Sequence, residues 1–299
     1  MENLTFCLNA TLPIFFTLIL GYFFRRIGLF DDQFVSKMNK FVFVAALPVL
    51  LFQDIATVDI YSVWDGKMVI FCFVITLASI LISIGLSRFL RPSDIRGEFI
   101  QASYRSSAAI LGIAIIQNLY GNAGMAPLMI IASVPLYNVM AVVVLSFFCP
   151  GQKTLDGAVL LKTLKGIITN PIILGIVVGM VWSLLRLPFP QILDSTAGNL
   201  AKTATPLGLM AMGGSLRFEK AFSRPVATIS CVFLKLIGYT ALFLPLAIRF
   251  GFTADKLVSI IIMLGSASTV SCFIMAKNMG HRGVLTSNVV MLATVLSSV

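Results

Sequence analysis

The chain has 299 residues, of which 58% are hydrophobic and only 11% are charged, and its mean hydropathy is +0.98. A soluble domain carries about 25% charged residues, so this chain cannot cover a water-soluble surface and is predicted to cross a membrane several times. The formal net charge is +10, but the basic residues cluster in short segments between apolar runs. That distribution argues against nucleic acid and makes the lipid bilayer the expected partner.

Nothing in the sequence indicates metal or cofactor chemistry. The five cysteines lie singly in or beside apolar segments, and His281 is the single histidine, so no zinc-ligand spacing occurs. We expect structural cysteines, no metal, no cofactor and no enzymatic activity, because no catalytic constellation is apparent on neighbouring spans. The start of the chain lacks the basic region of a cleavable signal peptide, so the first apolar run is interpreted as a span.

A transmembrane helix needs about 20 mostly apolar residues. The connections between such stretches are short here, and none is long enough for a soluble domain. The longest lies near residues 150–153, so we predict one membrane domain made of two halves, residues 1–150 and 151–299. Ten spans are predicted, at residues 5–24, 34–53, 67–87, 97–118, 124–149, 166–185, 194–216, 225–248, 254–276 and 283–299.

The distribution of lysine and arginine predicts the orientation, because basic loops stay in the cytoplasm. Fifteen of these residues fall near the loops after odd-numbered spans, four near the other loops, and three within spans. The three are Arg105, Lys202 and Lys235. The odd-numbered loops are therefore predicted to face the cytoplasm, which places both termini on the outer side of the cytoplasmic membrane.

The two halves share an internal repeat. Each half has five predicted spans, an odd number, so the second half would be inverted relative to the first. Inverted repeats around a midplane site are a transporter architecture, and the alternative is a chance match in a hydrophobic chain. Three positions recur 158 positions later, namely Pro13 as Pro171, Gly21 as Gly179, and Pro48 as Pro206.

Polar segments interrupt spans 4 and 9, the fourth spans of the two halves. The first runs from Glu98 to Gly112 and the second from Gly265 to Cys272. Irregular backbone at membrane depth persists only where it is buried in protein or lines a cavity, so we predict that the two segments build one site. The residues predicted to bind substrate are Arg105, Ser106, Ser107, Ser266, Ser268, Thr269 and Ser271.

The chemistry of these segments suits an anion. Each break would leave N–H groups free at the start of the following half-helix, where the helix dipole is positive. We expect the hydroxyls to cap these half-helices, Ser106 and Ser107 in span 4 and Ser268 with its neighbours in span 9, while Arg105 offers a carboxylate-binding fork. Two alternatives stay open: the serines only allow close packing, or Arg105 extends to the cytoplasmic surface.

Acidic residues are absent from the middle of every predicted span. Asp54, Glu98, Asp194 and Asp255 all lie near span ends. Cation pumps and proton relays usually need acids buried in the membrane. The sequence therefore favours an anionic or neutral substrate over a metal cation.

The whole chain resembles the auxin efflux carrier family of membrane transporters. The resemblance rests on the order and spacing of several short motifs rather than on any one of them. The motifs are residues 46–52 (ALPVLLF), 103–107 (SYRSS), 110–112 (ILG), 119–122 (LYGN), 170–171 (NP), 205–207 (TPL), 212–216 (MGGSL) and 276–280 (AKNMG).

The resemblance implies a ten-span carrier of two inverted five-span repeats, in which the broken fourth and ninth spans cross. It also implies the substrate class, because bacterial members are described as permeases for malate, malonate or other organic acids and plant members export auxin. The chain departs from the family at Ile113-Ala114 and near Gly265-Ser266, where a proline often stands. Either a serine-rich bend replaces the proline kink there or the site is altered.

We therefore predict a secondary active transporter that moves a small organic anion by alternating access. The positions predicted to break or hinge helices are Pro48, Gly112, Pro206, Gly213 and Gly214.

Two other classes of protein are considered. One is a sodium-coupled carrier similar to bile-acid carriers, for which only Gln101 and Asn138 offer neutral oxygen ligands near the crossing. The other is a membrane sensor or assembly subunit that transports nothing. The sequence leaves open which acid is moved, the direction of transport, whether protons or sodium are coupled, and the oligomeric state, a homodimer included.

Overall fold

The computed structural model describes residues 2–57, 64–107, 116, 125–151, 157–216 and 224–297, and every regular element within them is a helix. The predicted all-α membrane fold class is confirmed. Short π-helical segments lie within α2 at Val42–Ala46 and within α9 at Leu234–Gly238. The helices are α1 Glu2–Arg26, α2 Asp32–Ala56, α3 Gly66–Ser87, α4 Arg96–Tyr104, α5 Ala126–Phe147, α6 Gly157–Ile168, α7 Pro171–Leu184, α8 Gln191–Ser215, α9 Pro225–Arg249, α10 Ala254–Gly265, α11 Ser271–Asn278 and α12 Val284–Leu296.

The surface of the protein is apolar where a soluble protein would be polar. On α3, the exposed residues include Ile70 and Leu81, whereas Ser79 and Ser83 of the same helix are buried. This reversal fits a lipid surround, since polar groups in membrane helices face the protein interior. Among the described residues, helices α2, α3, α5 and α9 are long and apolar enough to cross a membrane, and α7 and α12 are shorter apolar helices. The count of ten spans stays a prediction.

Predicted span 6 begins later than its hydropathy suggests. The structure divides this region into α6 and α7, with the boundary at Asn170-Pro171. The Asn170 side chain accepts a hydrogen bond from the Ile172 N–H over 3.0 Å, and Pro171 occupies the first turn of α7. An Asn cap followed by proline is a strong helix start, so it sets the beginning of α7.

Two close contacts between helices follow the spacing of the predicted repeat. A side chain at Gly21 of α1 would collide with the Met210 carbonyl of α8, and one at Gly179 of α7 would lie 2.8 Å from the Phe52 carbonyl oxygen of α2. Gly179 lies 158 positions after Gly21, and Met210 lies 158 positions after Phe52. Equivalent contacts at this offset support the inverted repeat and the two halves at 1–150 and 151–299, which remain our proposal.

The helices pack in two groups. In the first group, α1 packs along α8 and α2 packs along α7, with α2 also against α8. In the second, α3, α4 and α5 pack together, and α9, α10, α11 and α12 join them. The candidate site described below lies between the groups.

The predicted hinge positions are mainly points of close contact. Gly213 lies against the Leu18 carbonyl of α1, and an added side chain at Gly214 would come within 2.9 Å of Val35 Cγ2. Pro48 lies within α2 and Pro206 within the uninterrupted α8, while Gly112 lies outside the described residues. A hinge role for these positions stays a prediction.

The Gly213 contact gives a stability prediction. We expect Gly213→Ala to lower the melting temperature and the yield of folded protein, because the new methyl group would meet the backbone of α1, which cannot rotate away. The matched control is Gly85→Ala in α3, where nothing lies within 4 Å of the added carbon. There alanine is expected to stabilise the helix by up to about 1 kcal/mol. Equal melting temperatures for wild type and Gly213→Ala in detergent would contradict the α1–α8 packing.

Candidate functional site

Predicted span 9 is broken in its middle. Helix α10 ends at Gly265, Ser266 has extended backbone (φ −73°, ψ 160°), and α11 begins at Ser271. Glycine and serine favour such a break, because glycine has poor helix propensity and serine hydroxyls compete for backbone hydrogen bonds. The break in span 9 therefore forms without the proline that the family often has. The corresponding position in span 4, Ile113-Ala114, lies outside the described residues.

Predicted span 4 breaks at the corresponding place. Helix α4 ends at Tyr104, and Arg105 has extended backbone (φ −78°, ψ 132°). The Ser107 N–H then donates to the Ala267 carbonyl of the span 9 break over 2.9 Å. The two breaks thus contact each other directly.

The serine hydroxyls of the two breaks bind helix ends reciprocally. Ser106 donates to the Met263 carbonyl in the last turn of α10, and Ser268 donates to the Ala102 carbonyl in the last turn of α4 over 2.8 Å. Carbonyls in a last turn have no partner in their own helix. For Ser268, the prediction of an N–H cap is therefore wrong. The residues that would follow Ser107 in a half-helix lie outside the described residues, so the caps predicted for Ser106 and Ser107 stay predictions. The N-cap residue of α11 is Val270, which makes no side-chain cap bond.

Lys235 also binds a backbone carbonyl near the C-terminal end of a helix. Its side chain is fully buried, and its ammonium donates to the Leu264 carbonyl near the end of α10. A cation is favoured at the negative end of a helix dipole. Lys235 therefore supports the break in span 9 and does not extend to the surface.

These carbonyl contacts predict a difference between buried serines. We expect Ser268→Ala to reduce stability by about 1–3 kcal/mol, because the Ala102 carbonyl would be left buried without a donor. Ser133→Ala is the matched control, since the buried Ser133 hydroxyl donates to the Met129 carbonyl one turn back in its own helix. That change is expected to be nearly neutral. The two unfolding midpoints in detergent decide the question, and equal losses would contradict the capping role.

Arg105 lies buried at the crossing and does not extend to the cytoplasmic surface. Its side chain is 2% exposed. Its Nη2 atom donates to Asn138 Oδ1 and to Ser271 Oγ, each over 2.7 Å, and Nη1 contacts Met275 Sδ over 2.8 Å and Gln101 Oε1 over 3.5 Å. All these partners are neutral, and the buried Nε finds no hydrogen-bond partner among the described residues. Arginine stays charged, and no ion pair balances Arg105 in the described part of the chain.

A cavity of about 110 Å³ adjoins this guanidinium. Ser266 is not among its lining residues, and its buried hydroxyl has no hydrogen-bond partner within the described residues. The same described ranges contain no group of three or more His, Cys, Asp or Glu that could hold a metal ion. The predicted site residues that do line the cavity are Arg105, Ser106, Ser107, Ser268, Thr269 and Ser271.

The cavity contains polar residues that were not predicted to bind the substrate, although Asn138 was named as a possible sodium ligand. Tyr137 and Asn138 of α5 line it, and Tyr137 also donates to the Met263 carbonyl over 3.3 Å. An adjacent polar pair inside an apolar span was the available signal for both. Asp54 of α2 lines the same cavity, although its position near a span end gave no reason to place it there.

These features together define a polytopic helical membrane protein with a cavity between two helix groups that polar residues of both broken spans help to line, which is the arrangement of a membrane transporter. The chain belongs to the family described as Membrane transport protein, whose model matches residues 6–299. The resemblance to the auxin efflux carriers is thereby confirmed.

Named relatives are distant in sequence. The chain is 24% identical over 309 residues to the "Putative malonate transporter" of Rhizobium meliloti, a match that covers 97% of this chain and 92% of that protein. It is 25% identical over 245 residues to "Uncharacterized transporter YfdV" of Escherichia coli K12, covering 78% and 76%. A 26% identical match to the "Lysosomal cholesterol signaling protein" of Mus musculus covers 73% of this chain but 27% of that protein.

Proposed function

We propose that the protein is a secondary active transporter that binds the carboxylate of a small organic anion and moves it by alternating access. The observation that carries this proposal is Arg105, a buried permanent cation beside a cavity, with neutral partners and an unpaired Nε among the described residues. A buried charge without an ion-pair partner is costly. A bound carboxylate would supply that counter-charge and accept from the unpaired N–H.

The groups beside Arg105 also suit a carboxylate. Ser271 is the first residue of α11 and lies 3.2 Å from Thr269 by their hydroxyl oxygens. The positive end of α11 faces the break without a side-chain cap, and helix N-termini favour anions. We propose Arg105, Thr269 and Ser271 as the direct ligands, with Ser106, Ser107 and Ser268 lining the cavity and Ser266 outside it.

The sodium-coupled alternative is less well supported. The two amide side chains that would serve as neutral ligands both turn their oxygens toward Arg105, at 3.5 Å for Gln101 and 2.7 Å for Asn138. A sodium ion at those oxygens would lie close to the guanidinium and be repelled. A sodium site elsewhere in the protein stays compatible with transport of an anion.

The position of the cavity supports alternating access. Its polar ligands come from the second helix group, while α1, α2 and α8 of the first group contribute a mostly apolar wall that includes Ile14, Leu47, Leu50 and Ala204. Movement of one group against the other would expose the site to each side in turn. We further propose the cytoplasmic membrane as the location, both termini outside, proton or sodium coupling, no enzymatic activity, and a homodimer as one candidate assembly.

The experiment is uptake into proteoliposomes that contain the purified protein. Malonate is the first substrate to test, because one distant relative bears its name, followed by malate, citrate and indole-3-acetate. We expect saturable uptake of at least one of these acids that depends on an imposed proton or sodium gradient. Protein-free vesicles are the control, and uptake that matches theirs for every acid would contradict the proposal.

A further inference from the structure

One face of α2 forms a wall of the cavity. Leu47, Leu50, Leu51 and Asp54 line it, and spacings of three and four residues place side chains on one side of a helix. The first three are apolar. Asp54 is therefore the one polar group that this row of α2 presents to the proposed site.

The cavity brings two opposite charges together. Arg105 comes from the crossing and Asp54 from the α2 wall, yet no ion pair joins them within the described residues. Of the elements around Asp54, α8 brings Asp194 and Lys202, which line an adjacent polar pocket, and α5 brings Tyr137. A ligand in the cavity thus meets a cation from the crossing and a carboxylate from the α2 wall.

This arrangement sets a rule for the ligand. An ionised carboxylate only accepts hydrogen bonds, and a like charge placed near it is repelled. Building on the proposed transport function, we propose that Asp54 determines specificity by selecting acids that present a hydrogen-bond donor to it, in addition to the carboxylate that Arg105 holds.

A dicarboxylate can donate a hydrogen bond to Asp54 only if it carries an added proton. Its second carboxylate would face Asp54, and two adjoining carboxylates hold one proton between them. A dianion would therefore take one proton from solvent as it binds, and that proton would leave with it. A hydroxy acid brings its own donor and needs no proton.

The test compares wild type, Asp54→Asn and Asp255→Asn in proteoliposomes. Asp255 is the matched control, because it undergoes the same change at a carboxylate that accepts from the neighbouring Lys256 N–H and does not line the cavity. The first substrate pair is 3-hydroxypropionate and propionate, which differ in the far hydroxyl. The second measurement is malonate uptake over a pH range that spans its second ionisation.

We expect wild type and Asp255→Asn to prefer the hydroxy acid by about tenfold in KM. Asp54→Asn should reduce that preference to about threefold or less, because the charged acceptor is lost. Malonate uptake by wild type should fall as pH rises. In Asp54→Asn that fall should flatten, because the amide no longer repels the dianion.

Two results would overturn the inference while leaving the proposed function intact. One is an Asp54→Asn protein with wild-type preference and pH profile. The other needs no variant: wild type should take up one more proton with each malonate dianion than with each 3-hydroxypropionate, and equal proton counts would refute the shared proton. If wild type transports none of the acids, the proposed function fails, and the inference fails with it.

Discussion

Replacing Arg105 with glutamine is expected to raise the KM of the transported acid by about a hundredfold, and replacing it with lysine by about tenfold. Glutamine removes the positive charge that would balance the carboxylate. Lysine keeps the charge but loses the planar guanidinium, whose Nη2 bonds Asn138 and Ser271 and whose Nε is left for the ligand. The measurement is initial uptake rate against acid concentration in proteoliposomes.

A structural role for Arg105 would give a different result. The guanidinium also holds α5 and α11 together, so its loss will lower the melting temperature in either case. Lys235→Gln is the matched control, because it removes a buried cation that supports α10 and does not line the cavity. We expect that variant to melt earlier with an unchanged KM. If Arg105→Gln also keeps the wild-type KM, Arg105 is removed from the binding site.

The breaks in spans 4 and 9 could be predicted because their signal is local. Serine, glycine and arginine in the middle of apolar runs are visible in the sequence, and each break occurs within the polar segment that contains Arg105 or Ser268. The contact between the breaks required the repeat as well. The 158-residue offset of that repeat also relates the Gly21 and Gly179 contacts, although the contacts themselves were not predicted.

The direction of each hydrogen bond could not be predicted from local rules. A serine at a helix break is expected at the N-terminal end, yet Ser106 and Ser268 each donate to the open carbonyl end of the other broken span. That partner exists only once the two spans cross, and more than 150 residues separate the bonded groups along the chain.

The roles of Asp54 and Glu98 could not be predicted from the sequence for a related reason. Hydropathy reports how far Asp54 and Glu98 lie from a span end, but it does not report which side of the helix faces a cavity or another helix. Asp54 lines the cavity, and Glu98 is 1% exposed. Both positions depend on tertiary packing, which no pattern within one span encodes.

Glu98→Ala is expected to cost about 3 kcal/mol of unfolding free energy or more. The Glu98 carboxylate accepts from the Gly283 N–H over 2.9 Å, from the Thr286 N–H over 3.1 Å and from the Thr286 hydroxyl over 3.3 Å. It thereby caps the start of α12, where a negative charge is favoured by the helix dipole. Removing it leaves buried donors unpaired and creates a cavity.

The matched control for this prediction is Asp32→Asn, which neutralises an exposed acid paired with Arg25. An exposed ion pair contributes at most about 1 kcal/mol, so this variant should melt close to wild type. Glu98→Gln separates the effect of charge from that of side-chain volume. Glutamine has nearly the same volume, but its NH₂ group would face a backbone N–H, and two donors cannot form a hydrogen bond. We expect its melting temperature to lie between those of wild type and Glu98→Ala. If Glu98→Ala has the same melting temperature as Asp32→Asn, α12 does not depend on this cap.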